Sequence, residues 1–179
     1  MRDVVDQEKG IIGGTFTLGI IPTIMPTLLP MFLQTVLKSY PQLALEIEEM
    51  PTHLILERLE NGTLDAGIAA TPLDISQIEE KPLYYEPFVV YAPSHSKLNR
   101  KEKITSEMFD SENILLLQDG HCFRESALHV CKVKNNTPVK FEIKSGSFET
   151  LIQLANEGLG ITLLPYLNTR QLGQDQKQN

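Results

Sequence analysis

Asp119-Gly120-His121-Cys122-Phe123-Arg124 sets one of the chain's two cysteines between a histidine and an arginine. Thiol chemistry runs through the thiolate, and a nearby cation or a helix N-terminus raises the thiolate fraction. Both are predicted here: His121 precedes the sulfur, Arg124 follows two residues later, and helical patterning starts at the same point. The other cysteine, Cys131, lies nine residues on. Types and spacing read first as a redox switch. The competing reading is an inert core thiol, since free cysteine is often buried. The flanking cations weigh against that for Cys122. For Cys131, next to an apolar valine, it stays open. His121 has a plain alternative too, satisfying a turn carbonyl, and Arg124 has one in pairing with Glu125 or Asp119 at the surface.

Hydroxyls form the second candidate set. Thr23, Thr52, Ser145 and Ser147 all fall where a predicted strand gives way to a predicted helix. Such residues are natural N-caps. The same positions suit a small ligand, because helix N-termini present unpaired N–H groups and a positive dipole end. Ser145 and Ser147 could bind a small anion at such a terminus, but capping alone is the preferred reading. His53, His95 and His129 have no partner at metal-ligand spacing, and the chain has no CxxC or HxxxH. No metal and no cofactor is expected.

The elements that position these residues follow from hydrophobic periodicity. Phe16–Ile21 predicts a strand, and Pro26–Pro30 leads into a helix to about Tyr40, stopped by Pro41. Leu43–Glu48 alternates apolar and polar residues, the strand period. A helix from about His53 to Glu60 ends at Asn61-Gly62, and Leu64–Ala70 is a third strand. This β-α-β-α-β order predicts a parallel sheet flanked by helices. After a looser stretch at 74–81 come a strand at Phe88–Ala92, an exposed charged loop at 94–103 and an apolar strand at Ile114–Leu117. A helix then runs from the Cys122 string to about Val133. A strand at Phe141–Lys144, a helix capped by Ser147 to about Glu157 and a strand at Ile161–Leu164 complete the series. In open α/β sheets the strand-to-helix edge carries the ligand crevice, so two such lobes would face each other across a cleft.

Composition excludes several classes. A net charge of -7 and a pI near 5.1 argue against broad nucleic-acid binding. No run of about 18 apolar residues predicts a membrane span. The charged start, MRDVVDQEKG, lacks the apolar core of a secretory signal, and a cytoplasmic location is expected. There a disulfide is more often transient than structural.

The opening GTFTLGIIPT, the turn Glu57–Asp65 and the late GLGITLLP resemble the effector domain of LysR-type transcription regulators. The string DGHCFR with a cysteine nine positions later resembles one branch, the OxyR peroxide sensors. The resemblance covers about residues 10–167. It implies an α/β fold of two Rossmann-like lobes with a cleft between them, similar to periplasmic binding proteins. Residues 1–9 would end a linker, 10–85 form lobe I, 86–167 lobe II, and 168–179 a polar tail. It implies that Cys122 is the thiol oxidised by hydrogen peroxide, through a sulfenic acid, and that Cys131 resolves it as a disulfide. It implies that His121 and Arg124 shape the reduced pocket and that Thr23 and Thr52 position peroxide. A homodimer or tetramer, a reducing dithiol protein, and DNA contact through a helix-turn-helix absent from this chain are implied as partners. The chain is accordingly expected to be a fragment that also lacks the end of the effector domain. The expected role is a sensor that is not an enzyme. The alternative is an effector domain binding a small metabolite, with the thiols incidental.

Helix geometry bears on that pairing. Nine residues at about 1.5 Å rise separate the two positions by roughly 13 Å and place them on opposite faces. A disulfide needs Cα atoms within about 7 Å. The bridge therefore requires this helix to unravel, with Phe123, Ala127, Leu128 and Val130 as its packed apolar residues.

Overall fold

A computed structural model describes residues 13–73, 75–101, 104–118, 122–131 and 143–173. The chain divides into two compact units, residues 1–82 and 83–179.

The first unit is built on β1 (Gly13–Ile20), the central strand of a parallel sheet ordered β2-β1-β3. β2 (Gln42–Glu49) pairs along its whole length, with Leu18 opposite Ile47, and β3 (Ala66–Ile68) pairs at Leu18–Ile20. α1 (Met25–Ser39) joins β1 to β2, and α2 (Thr52–Glu60) joins β2 to β3. The core gathers at the C-terminal half of β1. Leu18, Ile20 and Ile21 are buried with Met50 and with Ile55, the one buried residue of α2. An ion pair between Arg58 of α2 and Glu48 of β2 spans the surface, where such pairs contribute little.

Three sequence expectations change here. α1 starts at Met25, so Pro30 lies inside the helix. The turn that begins it forms upstream, where Ile24 and Met25 both donate to the Ile21 carbonyl at 3.1 Å. Pro30 forgoes one backbone hydrogen bond because its nitrogen carries no proton. Neither threonine is an N-cap. Those positions belong to Ile24 and to Pro51, whose φ of -69° and ψ of 158° supply the extended entry that a cap needs. The third strand is shorter than the pattern at Leu64–Ala70, because Asp65 is occupied elsewhere.

Asp65 staples the entry of β3 to β1. Its Oδ2 accepts the Thr17 N–H and the Thr17 hydroxyl, each at 2.7 Å. The backbone donor first, then the hydroxyl, hold the Asp65 carboxyl below its ordinary value of 3.8. A lowered folded-state pKa contributes stability that is present above the unfolded value and lost as pH falls through the folded one. Asp65→Asn keeps a carbonyl acceptor and removes the titration. Urea unfolding of the variant is expected to show a flatter loss of stability below pH 4 than the parent; identical acid limbs would contradict the assignment.

The second unit has a mixed sheet ordered β4-β6-β5. β4 (Phe88–Tyr91) runs antiparallel to β6 (Ile161–Pro165), with Phe88 opposite Pro165, and β5 (Ile114–Leu115) runs parallel to it. Every residue of β6 is buried. α3 (Cys122–Cys131) follows β5, and α4 (Phe148–Asn156) precedes β6. α4 buries Phe148, Leu151, Ile152 and Ala155, the 3.6-residue stripe of an amphipathic helix. The stripe packs with Tyr91 and Leu164. The Tyr91 hydroxyl donates to Asn156 Oδ1 at 2.6 Å, which ties the last turn of α4 to β4.

The GLGIT string has a physical reason. Gly158 ends α4 at a φ of +76°, a region that costs any residue with a Cβ. Gly160 lets the backbone pass close to β5: a Cβ there would sit 2.3 Å from the Asn113 carbonyl oxygen. That same oxygen accepts the Ile161 N–H at 2.8 Å.

The loops depart from expectation in four places. Leu116 and Leu117 are outside β5, and Leu117 is buried. Ile143 and Lys144 carry no strand, and the rest of the strand expected at 141–144 lies outside the described residues. Residues 94–103 are not simply exposed: a 3-10 turn at Lys97–Arg100 buries Leu98, and Ser96 Oγ caps it by accepting the Leu98 N–H at 3.2 Å. The expected tail at 168–179 begins inside a second such turn, Tyr166–Gln171, with Asn168 buried and Leu172 packed on the core. Glu86 holds that turn by accepting the Leu167 N–H. Ser147 does occupy the N-cap of α4, yet its side chain makes no cap bond. Ser145 Oγ instead accepts the Ser147 N–H at 3.2 Å.

Candidate functional site

Strand direction decides which candidate residues meet. β1 and β2 are parallel neighbours, so the segments leaving their C-terminal ends emerge on one edge of the first sheet. Thr23 lies in the turn between β1 and α1 and is buried, while Thr52 opens α2 and is half-buried. The sheet thus brings both threonines to one edge of the first unit. Cys122, Arg124 and Cys131 belong to the second unit, all on α3. His121 lies outside the described residues, as do the last two residues of the helix expected to reach Val133.

α3 runs unbroken from Cys122 to Cys131. The two positions are therefore separated as helix geometry requires, by about 13 Å along the axis. Cys122 is the first residue of the helix, where the backbone N–H groups of the first turn have no partner within the helix.

A stripe at four-residue spacing holds α3 down. Phe123 is partly buried, Ala127 is fully buried and Cys131 is 1% exposed. Phe123 packs against both hydrophobic clusters of this unit. Its ring meets Phe88 of β4 edge-on at 4.8 Å and 70°, and Phe148 of α4 at 4.8 Å and 85°. Such pairs contribute about 0.5–1.5 kcal/mol each beyond their buried area. Ala127 and Cys131 belong to the cluster that includes Leu98, Phe109, Ile161 and Leu163. Val130, expected to pack, is 41% exposed, because it stands one residue off the stripe.

Arg124 serves this architecture directly. Its Nη1 donates to the Leu117 carbonyl at 2.9 Å and ties the first turn of α3 to the segment leaving β5. The Leu117–Gln118 segment is held from the other side as well, where the Gln118 N–H donates to the Ser145 carbonyl at 2.8 Å.

Cys131 is a free thiol, and burial pushes its pKa up to about 11. At pH 7 the thiol therefore keeps its proton. Cys131 is a packing residue while α3 is intact, so the core reading of the sequence describes this state correctly. No group of His, Cys, Asp and Glu able to hold a metal ion occurs among the described residues, and none of their helices is long and apolar enough to cross a membrane.

Sequence reasoning did not single out Phe123 for a role at the site. The signal was present, since positions 123, 127 and 131 repeat at one helical face. Its partners Phe88 and Phe148 carried none, as they reach it only through the fold.

Two α/β units, with a parallel sheet in the first and a strand-to-helix edge bearing the candidate residues in each, define a known class of regulatory fold. The chain belongs to the LysR substrate binding domain family, which matches residues 10–176. Among its relatives, a probable hydrogen peroxide-inducible genes activator of Streptomyces viridosporus is 38% identical over 161 residues, covering 90% of this chain and 52% of the relative. The reduced form of the OxyR regulatory domain from Pseudomonas aeruginosa superposes with a TM-score of 0.77 at 34% identity, covering 90% of this chain and 77% of that one. OxyR from Porphyromonas gingivalis gives a TM-score of 0.82 at 31% identity, covering 92% and 75%. The chain spans about half the length of the curated relatives it matches.

Proposed function

We propose that this chain is the redox-sensing regulatory domain of a LysR-type transcription regulator of the OxyR kind, switched by hydrogen peroxide. The observation that carries the reading is α3 itself: one helix with a cysteine at each end, the first at the helix N-terminus and the second sealed in the core. Likeness to the reduced OxyR regulatory domain supports it.

The Cys122 thiolate attacks one peroxide oxygen, becomes a sulfenic acid and releases hydroxide. Thr23, Thr52, His121 and Arg124 supply donors that orient peroxide and receive the developing charge, an electrostatic role. Cys131 then attacks the sulfenic sulfur: an S–S bond forms, the S–O bond breaks and water leaves. A cellular dithiol protein reverses the step by exchange. One oxidation per activation makes this a sensor and not a turnover enzyme. The chain acts in the cytoplasm as part of a homodimer or tetramer, and meets DNA through a helix-turn-helix of the whole regulator. The refolded α3 segment alters how subunits pack.

Sub-stoichiometric peroxide followed by mass spectrometry tests the assignment. The parent is expected to lose both thiols as an intramolecular disulfide. Cys131→Ser should stop at a trappable sulfenic acid on Cys122, and Cys122→Ser should not react. Thiol loss only at large peroxide excess would overturn the reading.

A further inference from the structure

The two ends of α3 are fastened unequally. The Cys122 end is held by Phe123, wedged edge-on between Phe88 of β4 and Phe148 of α4, and by the charge-assisted bond from Arg124 to the Leu117 carbonyl. The Cys131 end is held by a methyl and a thiol, those of Ala127 and Cys131. Its cluster joins Ile161 and Leu163 of β6 to Leu98 and Phe109, which sit on the 3-10 turns Lys97–Arg100 and Ser106–Ser111. Two aromatic contacts and a charge-assisted bond at one end outweigh the contacts of a methyl and a thiol at the other.

Resting on the redox reading above, we propose that Phe123 is a positioning residue that pins the Cys122 end of α3, so that Cys131 is the cysteine that travels. Oxidation then peels the helix from its C-terminus. Cys131 leaves its place beside Leu98 and Phe109, attacks the Cys122 sulfenic acid, gives up its proton and expels water as the S–S bond closes. The ring of Phe123 stays between Phe88 and Phe148 in both redox states. The vacated apolar site loosens the turns Lys97–Arg100 and Ser106–Ser111, which become the described part of this unit that differs most between the two states.

Linkage supplies the test. Contacts made only in the dithiol state bias the couple toward the dithiol, whereas contacts kept in both states leave it unmoved. The whole chain is equilibrated with graded dithiothreitol, and the disulfide fraction is read by mass spectrometry. Phe109→Leu is expected to raise the disulfide-to-dithiol ratio severalfold at fixed reductant, while Phe88→Leu leaves it unchanged. Amide exchange of the parent provides a measurement free of any variant. Protection across 98–100, 106–109 and 127–131 should fall on oxidation while that of 88–91 and 148–156 holds. The reverse pattern, with Phe88→Leu moving the ratio and β4 and α4 losing protection, would overturn the proposal while leaving peroxide sensing intact. Failure of any disulfide to form would instead fell the redox reading on which the proposal rests.

Discussion

Replacing Ala127 with glycine is expected to shift the dithiol–disulfide balance of this protein toward the disulfide by at least tenfold. Ala127 is fully buried midway along α3, between the two cysteine positions. Any route to the bridge has to break the helix there, because about 13 Å must shrink to under 7 Å. Glycine costs a helix interior about 1 kcal/mol relative to alanine. Loss of the buried methyl removes a further ~0.8 kcal/mol. Both effects fall on the intact helix and not on the opened loop, so the dithiol state alone is weakened. At 30 mV per 1.4 kcal/mol the reduction potential drops by about 40 mV. The rate at which Cys122 first reacts with peroxide should change far less, since that step precedes opening. A redox titration that gave the same potential for both proteins would mean that α3 is not the element the bridge has to break.

Gly160→Ala should cost the second unit about 3 kcal/mol or more, enough to unfold it in a marginally stable chain. The new Cβ would lie 2.3 Å from the Asn113 carbonyl oxygen and 3.1 Å from the Leu115 side chain. The first contact is backbone in the chain entering β5, so no side-chain rotation relieves it. Relief requires β5 to move away from β6 and to give up the bond from the Ile161 N–H to Asn113. Gly158→Ala faces only the strain of a φ of +76° and a milder 3.1 Å approach to the His95 ring, and should cost about 1–2 kcal/mol. Thermal denaturation followed by circular dichroism ranks the two. Equal or reversed losses would show that strand spacing at β5–β6 is not what demands glycine at 160.

What could be read in advance was local. The alternation at Leu43–Glu48 is a period-2 signal, and β2 occupies Gln42–Glu49. Asn61-Gly62 closed α2 as chain chemistry dictates. The misplacements share a different cause. Asp65 looked like a strand residue, yet its carboxylate and backbone are committed to Thr17, 48 positions earlier. Leu116 and Leu117 looked like strand, yet β6 offers them no partner. The DGHC string pointed to Cys122 as the candidate reactive thiol, because a thiol and its flanking cations are neighbours in sequence. It was silent on what restrains α3, because Phe88, Leu98, Phe109 and Phe148 come from four separate segments. Arg124 was singled out for charge near the sulfur, and its bond to the Leu117 carbonyl could be seen only in three dimensions.

The strand order of the second unit has a consequence for how the chain comes into being. Among the described residues β4 and β5 do not pair with each other; each pairs with β6, which follows both in the chain. The described strands of the first unit are all made by residue 68. The described sheet of the second unit cannot form until residue 165 emerges, so Phe88 and Leu115 wait for a partner from later in the chain. Non-local pairing of this kind slows folding and prolongs the exposure of apolar strand edges. Folding on the ribosome should therefore proceed in two stages, with α3 finding its seat in the second.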